Sequence, residues 1–285
     1  QAPDGRMLVG NGHYLLTFDG AQWRQIETPQ TDRVRVMAID QAGRVWVGMP
    51  NEFGYYQADD AGALIYTSLS ATLSESQQGF GETRGVHLIE GRAYFHTLDA
   101  IFQWDGQSLM SFPKRDRIFR LSLVHQDRLM VLIGRELHDL TDFPDQDQPL
   151  LPEPGWQQPE GTRLTFLQSF PDGRILMGTL DQGLFWLSRS DPVQAARFAE
   201  MEDAWPFRAL PLADGSYVLG TRNKGIMQIS ADGRLIDHFS DRNGLNSNVI
   251  SAMALDSEGG LWLAQEGAIA RVDSFNGLRY YDSDL

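Results

Sequence analysis

Residues 249–281 read VISAMALDSEGGLWLAQEGAIARVDSFNGLRYY, which is a series of four short apolar runs separated by turns. The first run alternates between apolar and smaller or polar side chains, and it breaks at DSEG, residues 256–259. The last turn, SFNG at 274–277, favours a tight hairpin because Asn and Gly both tolerate positive φ. The segment therefore predicts four antiparallel β-strands.

The same unit recurs seven times along the chain. Its turn residue falls at Gly5, Gly43, Gly91, Asp127, Gly173, Gly215 and Gly259, with spacings of 36 to 48 residues. Four short strands at this period are typical of one propeller blade. The sequence therefore predicts an all-β fold, a seven-bladed β-propeller of four-stranded antiparallel blades.

The repeat predicts one domain over residues 1–285. The predicted blades cover residues of about 4–27, 33–69, 84–113, 117–152, 162–199, 205–240 and 248–285. The first copy begins at the turn Pro3-Asp4-Gly5, so blade 1 is expected to lack its first strand, which residues before Gln1 or after Leu285 would supply. Large side chains that follow the turns are expected to be buried between blades, namely Trp46, Tyr94, Leu176, Val218 and Trp262.

Composition restricts the possible partners. The net charge of −14 argues against a nucleic-acid partner, because contacts with phosphates require clustered cations. The absence of cysteine excludes disulfides, thiol catalysis and thiolate zinc sites. No apolar run approaches the roughly 20 residues that a membrane helix needs, so any membrane link is expected to lie outside this chain.

The end of the chain resembles a known family. Residues 243–253 and 256–264 resemble the two-component regulator propeller repeat, and residues 42–48 and 172–179 are similar copies. The resemblance implies a periplasmic sensing domain of a bacterial membrane receptor whose cytoplasmic end is a histidine kinase or a diguanylate cyclase. The motif residues are structural, so the resemblance implies a fold and a sensing role and transfers no catalytic residue.

Motifs for catalysis are missing from the sequence. It has no Gly-rich phosphate loop, no GxSxG elbow and no His-x-x-x-His pair for zinc. Six histidines are scattered among the copies; His96, which stands where other copies have Gly, is a candidate for the upper rim, but a structural or solvated role is the favoured interpretation. We therefore expect no catalytic residue, no metal site and no cofactor.

Arginine provides the candidate binding site. Counting back four residues from the last apolar residue of the inner strand leads to Arg35, Arg120 and Arg208 in three copies, and Arg84 and Arg163 lie near the same place in two others. In a propeller the inner strands begin at the upper mouth of the channel, where these side chains would converge. Guanidinium binds carboxylate or sulfate in bidentate fashion. The predicted ligand-binding residues are Arg35, Arg84, Arg120, Arg163 and Arg208.

A structural role for these arginines is the alternative. Each could pair with an acidic neighbour and tie two blades together; the candidate partners are Glu52, Glu82, Asp181 and Asp203.

Two long insertions interrupt the repeat. Residues 144–159 contain five prolines, which predicts an extended connector in place of a regular outer strand. Residues 68–85 are polar with a lone Phe80, and this segment is either a ligand lid or a mobile surface loop.

Three functions remain open. The first is a sensor domain that binds a small anionic ligand, such as an anionic sugar, at the upper channel mouth. The second is a lyase of the streptogramin-opening type, which needs a general base and a polarising group facing each other. No His and Glu occupy matching inner-strand positions. The third is a protein-interaction platform, and a homodimer is also left open.

Overall fold

Short strands bounded by glycine turns build the described chain. The computed structural model describes residues 1–29, 32–144, 148–153, 158, 160–187, 193–274 and 277–281. These residues form 26 strands in seven antiparallel sheets, with 3-10 turns at Ser70–Thr72, Glu75–Gln77 and Ala199–Met201. The fold is a seven-bladed β-propeller, as the repeat predicted. We number the sheets 1 to 7 in chain order. The chain divides into two compact units, Gln1–Glu153 and Pro154–Leu285.

The first unit contains sheets 1 to 4. Its strands are β1 (Met7–Asn11), β2 (Tyr14–Phe18), β3 (Trp23–Glu27), β4 (Val36–Ile39), β5 (Val45–Met49), β6 (Glu52–Ala58), β7 (Leu64–Ser68), β8 (Gly85–Ile89), β9 (Arg92–His96), β10 (Ala100–Trp104), β11 (Leu109–Pro113), β12 (Phe119–His125), β13 (Arg128–Ile133) and β14 (Glu136–Asp139). Sheets 2 and 3 have four strands each, in the orders β4-β5-β6-β7 and β8-β9-β10-β11. Sheets 1 and 4 have three, in the orders β1-β2-β3 and β12-β13-β14.

The second unit contains sheets 5 to 7. Its strands are β15 (Leu164–Ser169), β16 (Ile175–Thr179), β17 (Leu184–Leu187), β18 (Val193–Ala196), β19 (Pro206–Pro211), β20 (Tyr217–Thr221), β21 (Ile226–Ile229), β22 (Leu235–Phe239), β23 (Ile250–Leu255), β24 (Leu261–Gln265), β25 (Ala268–Ser274) and β26 (Gly277–Tyr281). Each sheet has four strands in chain order. The hairpin turn predicted at 274–277 includes residues 275–276, and predicted blade 7 ends with residues 282–285; both lie outside the described residues.

Sheets 1 and 4 have three strands each among the described residues, and these are the two blades for which the sequence predicted an exception: a missing first strand in blade 1 and an extended connector in place of the outer strand in blade 4. In sheet 1 the described strands begin after the turn at residues 3–5, so no strand precedes β1 within the described residues. In sheet 4 the described part of the connector makes a single ladder-like bond, from Glu153 N to Leu137 O at 2.8 Å. Pro144, Pro149 and Pro152 of this segment have no N–H to donate, which explains why the outer edge of β14 is not extended by a regular strand. Residues 145–147, 154–157 and 159 of the connector lie outside the described residues.

Apolar side chains pack between consecutive sheets within each unit. In the first unit, Trp46 and Phe53 of sheet 2 pack against Phe95 and Phe102 of sheet 3, with the Phe53 and Phe95 rings stacked at 4.3 Å between centroids. In the second unit, clusters join sheet 5 to sheet 6 and sheet 6 to sheet 7. The side chains expected to be buried after the turns are all at most 9% exposed: Trp46, Tyr94, Leu176, Val218 and Trp262.

A buried carboxylate organises the turn between β23 and β24. Asp256 Oδ1 accepts the backbone N–H groups of Glu258 and Gly260, at 3.0 and 2.7 Å. Asp256 Oδ2 accepts from Trp262 Nε1 at 2.9 Å and from Arg271 Nε at 2.7 Å. Burial raises the pKa of Asp256, but these hydrogen bonds outweigh burial and leave its pKa below the ordinary value. Asp40 does the same in sheet 2, where it accepts from Trp46 and Arg44.

We predict that Asp256→Ala lowers the free energy of unfolding by about 2 to 4 kcal/mol, because it leaves the buried Trp262 N–H without its acceptor and removes a charge-assisted bond to Arg271. Denaturation in urea, followed by tryptophan fluorescence, measures the loss. The matched control is Asp172→Ala, since that turn carboxylate is 48% exposed and pairs with Arg174. The control should cost about 1 kcal/mol or less. Equal losses in the two variants would contradict the prediction.

Candidate functional site

Four of the inner strands have a β-bulge near their first residue, at the level of the candidate arginines. In β12, β15, β19 and β23 the pairing register shifts one residue after the strand begins. The residue that falls out of register is Arg120, Thr165, Phe207 or Ser251. β4 and β8 have no such shift, and the equivalent residues, Arg35 and Arg84, immediately precede them; their N–H groups bond to Gly48 O at 2.9 Å and to His96 O at 2.7 Å. A bulge such as the one at Arg120 commonly redirects a side chain at a functional edge.

Three arginines of the first unit therefore occupy one structural position. We call Arg35, Arg84 and Arg120 the arginine row. Arg35 and Arg84 immediately precede β4 and β8, Arg120 is the second residue of β12, and β8 contacts both β4 and β12. The count from the sequence placed Arg208 in this position, which is wrong by one residue. Arg208 pairs with Gly220 and follows the out-of-register residue Phe207, because the count began at Leu212, one residue beyond the end of β19.

The members of the row differ in their contacts. Arg35 forms an ion pair with Glu82, which precedes β8. Arg120 Nη1 donates to Gly134 O at 3.3 Å. Arg84 is exposed, and its guanidinium makes no hydrogen bond or ion pair with the residues that the structure describes. Glu52, the other acidic neighbour considered in this unit, accepts from the hydroxyls of Tyr66, Ser68 and Ser70 instead.

A chain of hydrogen bonds lies next to the row. His87 Nε2 lies 2.7 Å from Ser122 Oγ, and Ser122 Oγ lies 2.9 Å from His96 Nδ1. His96 Nε2 lies 3.0 Å from Phe119 O. Because a carbonyl oxygen can only accept, His96 Nε2 carries the proton and Nδ1 of the neutral ring accepts from Ser122. His87 Nε2–H then donates to Ser122 Oγ. The hydrogen bonds therefore run in one direction, from His87 through Ser122 and His96 to Phe119 O.

His96 has the structural role that the sequence favoured over a place on the rim. Its side chain is buried, with 2% exposure, between sheets 3 and 4. It can occupy this space because its cross-strand partner is Gly85. A Cβ on Gly85 would lie 2.8 Å from Ser122 Oγ and 2.9 Å from His87 Nε2, so glycine is required for the polar chain to form.

Burial is the main cause that lowers the pKa of His96 to about 4; the positive charge of Arg84 adds to this effect, and the bond to Phe119 O opposes it. The ordinary value of 6.5 applies to the unfolded chain. Between pH 6.5 and about 4 the unfolded chain therefore binds a proton that the folded protein does not. Stability contributed by neutral His96 is present above this window and is lost as the pH falls through it.

We predict that His96→Gln reduces the loss of stability between neutral pH and pH 4.5 by about 2 kcal/mol, since each pKa unit corresponds to about 1.4 kcal/mol. Gln can still donate to Phe119 O and accept from Ser122 but does not titrate. Urea denaturation at a series of pH values measures the effect. His13→Gln, at an exposed hairpin residue, is the control. If His96→Gln and the unsubstituted protein lost stability in parallel, the assignment of a neutral buried imidazole would fail.

In the second unit, Arg163 Nε lies 3.3 Å from Asp181 Oδ2, and both side chains are more than 40% exposed. This pair lies at a pocket of about 610 Å³. Arg208 makes no hydrogen bond or ion pair with the described residues, and desolvation lowers its pKa. Arg208 is nevertheless an exposed residue. Arg222 lies 4.5 Å above the Phe207 ring, and desolvation lowers its pKa too.

The 68–85 insertion is anchored in the core. Phe80 is 8% exposed and packs 5.3 Å from Phe53 and 5.2 Å from Phe102, measured between ring centroids. Leu73 is buried as well. Gln77 Nε2 donates to Ser111 Oγ at 2.5 Å, which connects the loop to sheet 3. The interpretation of this segment as a freely moving lid does not fit these contacts.

Neither a metal site nor a membrane segment was found in the described residues. No group of three or more His, Asp or Glu side chains in this part of the chain could hold a metal ion. None of its helices has the length and apolar character needed to cross a membrane.

Residues 244–267 match the family model described as two component regulator propeller. Sheet 7 carries this repeat. The match covers the turn around Asp256 and both strands beside it, so the structural part of the resemblance is confirmed. Among curated proteins no relative matches the chain.

Solved structures share the fold at low sequence identity. The extracellular domain of a hybrid two component system from B. thetaiotaomicron is 19% identical, with a TM-score of 0.71 over 95% of this chain and 37% of that chain. PorZ, a surface component of the type-IX secretion system of Porphyromonas gingivalis, is 16% identical, with a TM-score of 0.69 over 98% of this chain and 46% of its own length. Virginiamycin B lyase from Staphylococcus aureus is 13% identical, with a TM-score of 0.65 over 87% and 84%. The chain thus spans less than half the length of the first two.

Proposed function

We propose that this chain is the extracytoplasmic sensor domain of a bacterial signalling receptor and that it binds a small anionic ligand through the arginine row. The receptor role is supported by the two component regulator propeller repeat at residues 244–267 and by the likeness to an extracellular domain of a hybrid two component system. Periplasmic location and signal transduction follow from this role. Histidine kinase or cyclase activity would belong to another part of the receptor.

The observation that carries the ligand class is the position shared by Arg35, Arg84 and Arg120. A protein with 38 acidic and 24 basic residues repels anions over most of its surface. The row places three guanidiniums on adjacent blades, and Glu82 compensates the charge of one of them, Arg35. Arg84 has its donors available, and a carboxylate, sulfate or phosphate group would satisfy them in bidentate fashion. An anionic sugar is one candidate ligand of this class.

The five predicted arginines do not contribute equally to this proposal. Arg84 and Arg120 are the binding residues. Arg35 is held by Glu82 and stabilises the contact between sheets 2 and 3. Arg163 and Arg208 lie in the second unit, where Arg163 is paired with Asp181 and Arg208 offers a further unpaired guanidinium to an anion.

A lyase is less well supported by the geometry. The likeness to virginiamycin B lyase reflects the fold. The imidazole of His96 is buried and has a low pKa, so it would be a weak general base. His138 Nε2 lies 4.0 Å from Glu136, but both residues are in the outer strand β14. We therefore propose a domain without catalytic turnover.

The test is calorimetric titration with inorganic sulfate and with D-glucuronate. We predict that Arg84→Ala and Arg120→Ala each weaken binding of the tighter probe by about 1.5 to 3 kcal/mol, which is the cost of a lost charge-assisted hydrogen bond. Arg84→Lys should recover part of the loss, because lysine keeps the charge without the planar fork. Arg35→Ala should lower the melting temperature more than the affinity.

Arg24→Ala is the matched control, since this arginine of β3 is 72% exposed and its nearest carboxylate, Asp19, is 4.0 Å away. The control should leave both affinity and melting temperature unchanged. If Arg84→Ala and Arg120→Ala lowered the melting temperature and left the affinity intact, these residues would be ties between sheets and the anion site would be refuted.

A further inference from the structure

The second unit contains a pocket that the arginine row does not explain. Its volume is about 610 Å³, within the range of roughly 300 to 1,000 Å³ that small-molecule sites occupy. One wall is the turn between β16 and β17, with Leu180 and Asp181. The opposite wall is the segment between β18 and β19, from Arg197 to Trp205.

An exposed indole forms part of this wall. Trp205 is 57% exposed and lines the pocket. Its backbone is held on both sides: Trp205 N donates to Asn223 Oδ1 at 2.9 Å, and Trp205 O accepts from Arg222 N at 2.9 Å. Asn223 Nδ2 also donates to Asp203 O at 2.7 Å. The ring is therefore presented to the pocket by a fixed backbone.

The charges around the pocket do not all compensate one another. Arg163 and Asp181 form an ion pair at the edge. The carboxylates of Glu202 and Asp203 and the guanidinium of Arg197 have no hydrogen-bond or ion-pair partner among the described residues. Asp203 also has φ of 58°, a left-handed conformation that costs a non-glycine residue free energy and that tends to persist at functional sites.

These groups favour a ligand that carries one positive and one negative charge. An ammonium group is attracted to the face of an indole and to carboxylates, and Trp205 lies two residues after Asp203 and three after Glu202. A carboxylate on the same ligand would be recognised by Arg197. We propose that this pocket binds a zwitterionic small molecule, an amine and carboxylate compound of the amino acid or betaine class. The site lies within the second unit and is independent of the arginine row.

Glycine betaine and L-phenylalanine are the probes, measured by calorimetry on the full chain at millimolar concentrations. Two analogues separate the charges of betaine: choline lacks the carboxylate, and 3,3-dimethylbutanoate lacks the positive charge. We predict that Trp205→Ala weakens binding of the tighter probe by about tenfold, because the cation loses its aromatic partner, and that Trp205→Phe recovers part of it.

Substitutions of the charged residues should affect the binding of different betaine analogues. Arg197→Ala should weaken betaine and leave choline unchanged. The double variant Glu202→Gln with Asp203→Asn should weaken betaine and choline and leave 3,3-dimethylbutanoate unchanged.

Ile236→Ala is the control, since Ile236 is 54% exposed in the outer strand of sheet 6. Arg84→Ala should not change betaine binding, which separates this site from the proposed anion site. The inference would be overturned if neither probe bound, or if Trp205→Ala and Arg197→Ala left binding unchanged while the melting temperature stayed normal.

Discussion

In each of sheets 2, 3, 5 and 6, one cross-strand pair has room for only one of its two side chains, so the other residue of the pair is glycine. The rest of the structure depends on this constraint. The pairs are Val36 with Gly48, Gly85 with His96, Phe166 with Gly178, and Arg208 with Gly220. A Cβ on Gly48 would lie 2.4 Å from Thr83, and one on Gly178 would lie 2.0 Å from Phe166. The repeated glycine is therefore required by close approach of neighbouring atoms, while the turn glycines are required by positive φ.

Sheet 3 satisfies the same constraint with the pair exchanged. Glycine moves to the inner strand at Gly85, and the large side chain moves to the second strand at His96. The exchange places an imidazole where sheets 2, 5 and 6 have the glycine of the pair, and a buried imidazole needs partners for both nitrogens. Ser122 and the Phe119 carbonyl provide them. Polar chemistry between sheets 3 and 4 is thus a consequence of where the glycine lies in one pair.

The sequence predicted the features that repeat and missed those that depend on a single copy. Turns, strands and the burial of Trp46 and Trp262 follow from the period, because every copy must present the same apolar faces. Arg208 was misplaced because Leu212, the apolar residue from which the count began, lies one residue beyond the end of β19, and the apolar pattern does not mark where the strand ends. In the third copy the count leads to Gly85, but Arg84, one residue earlier, occupies the position equivalent to Arg35. The pairing of Arg35 with Glu82, rather than Glu52, depends on side-chain packing that no spacing encodes.

Trp205 was missed for a related reason. An exposed aromatic residue outside the repeated strands has no period that distinguishes it from a core residue, and only its accessible surface identifies it.

The electrostatics of the arginines separate structural residues from available ones. Hydrogen bonds to Glu153 and Asp139 raise the pKa of Arg128, as expected for a cation whose charge is compensated. Arg208 and Arg222 show the opposite shift, because they are desolvated without a compensating carboxylate. Desolvation of a cation without a paired carboxylate is unfavourable for the folded state, whereas the two carboxylates at Arg128 compensate its charge.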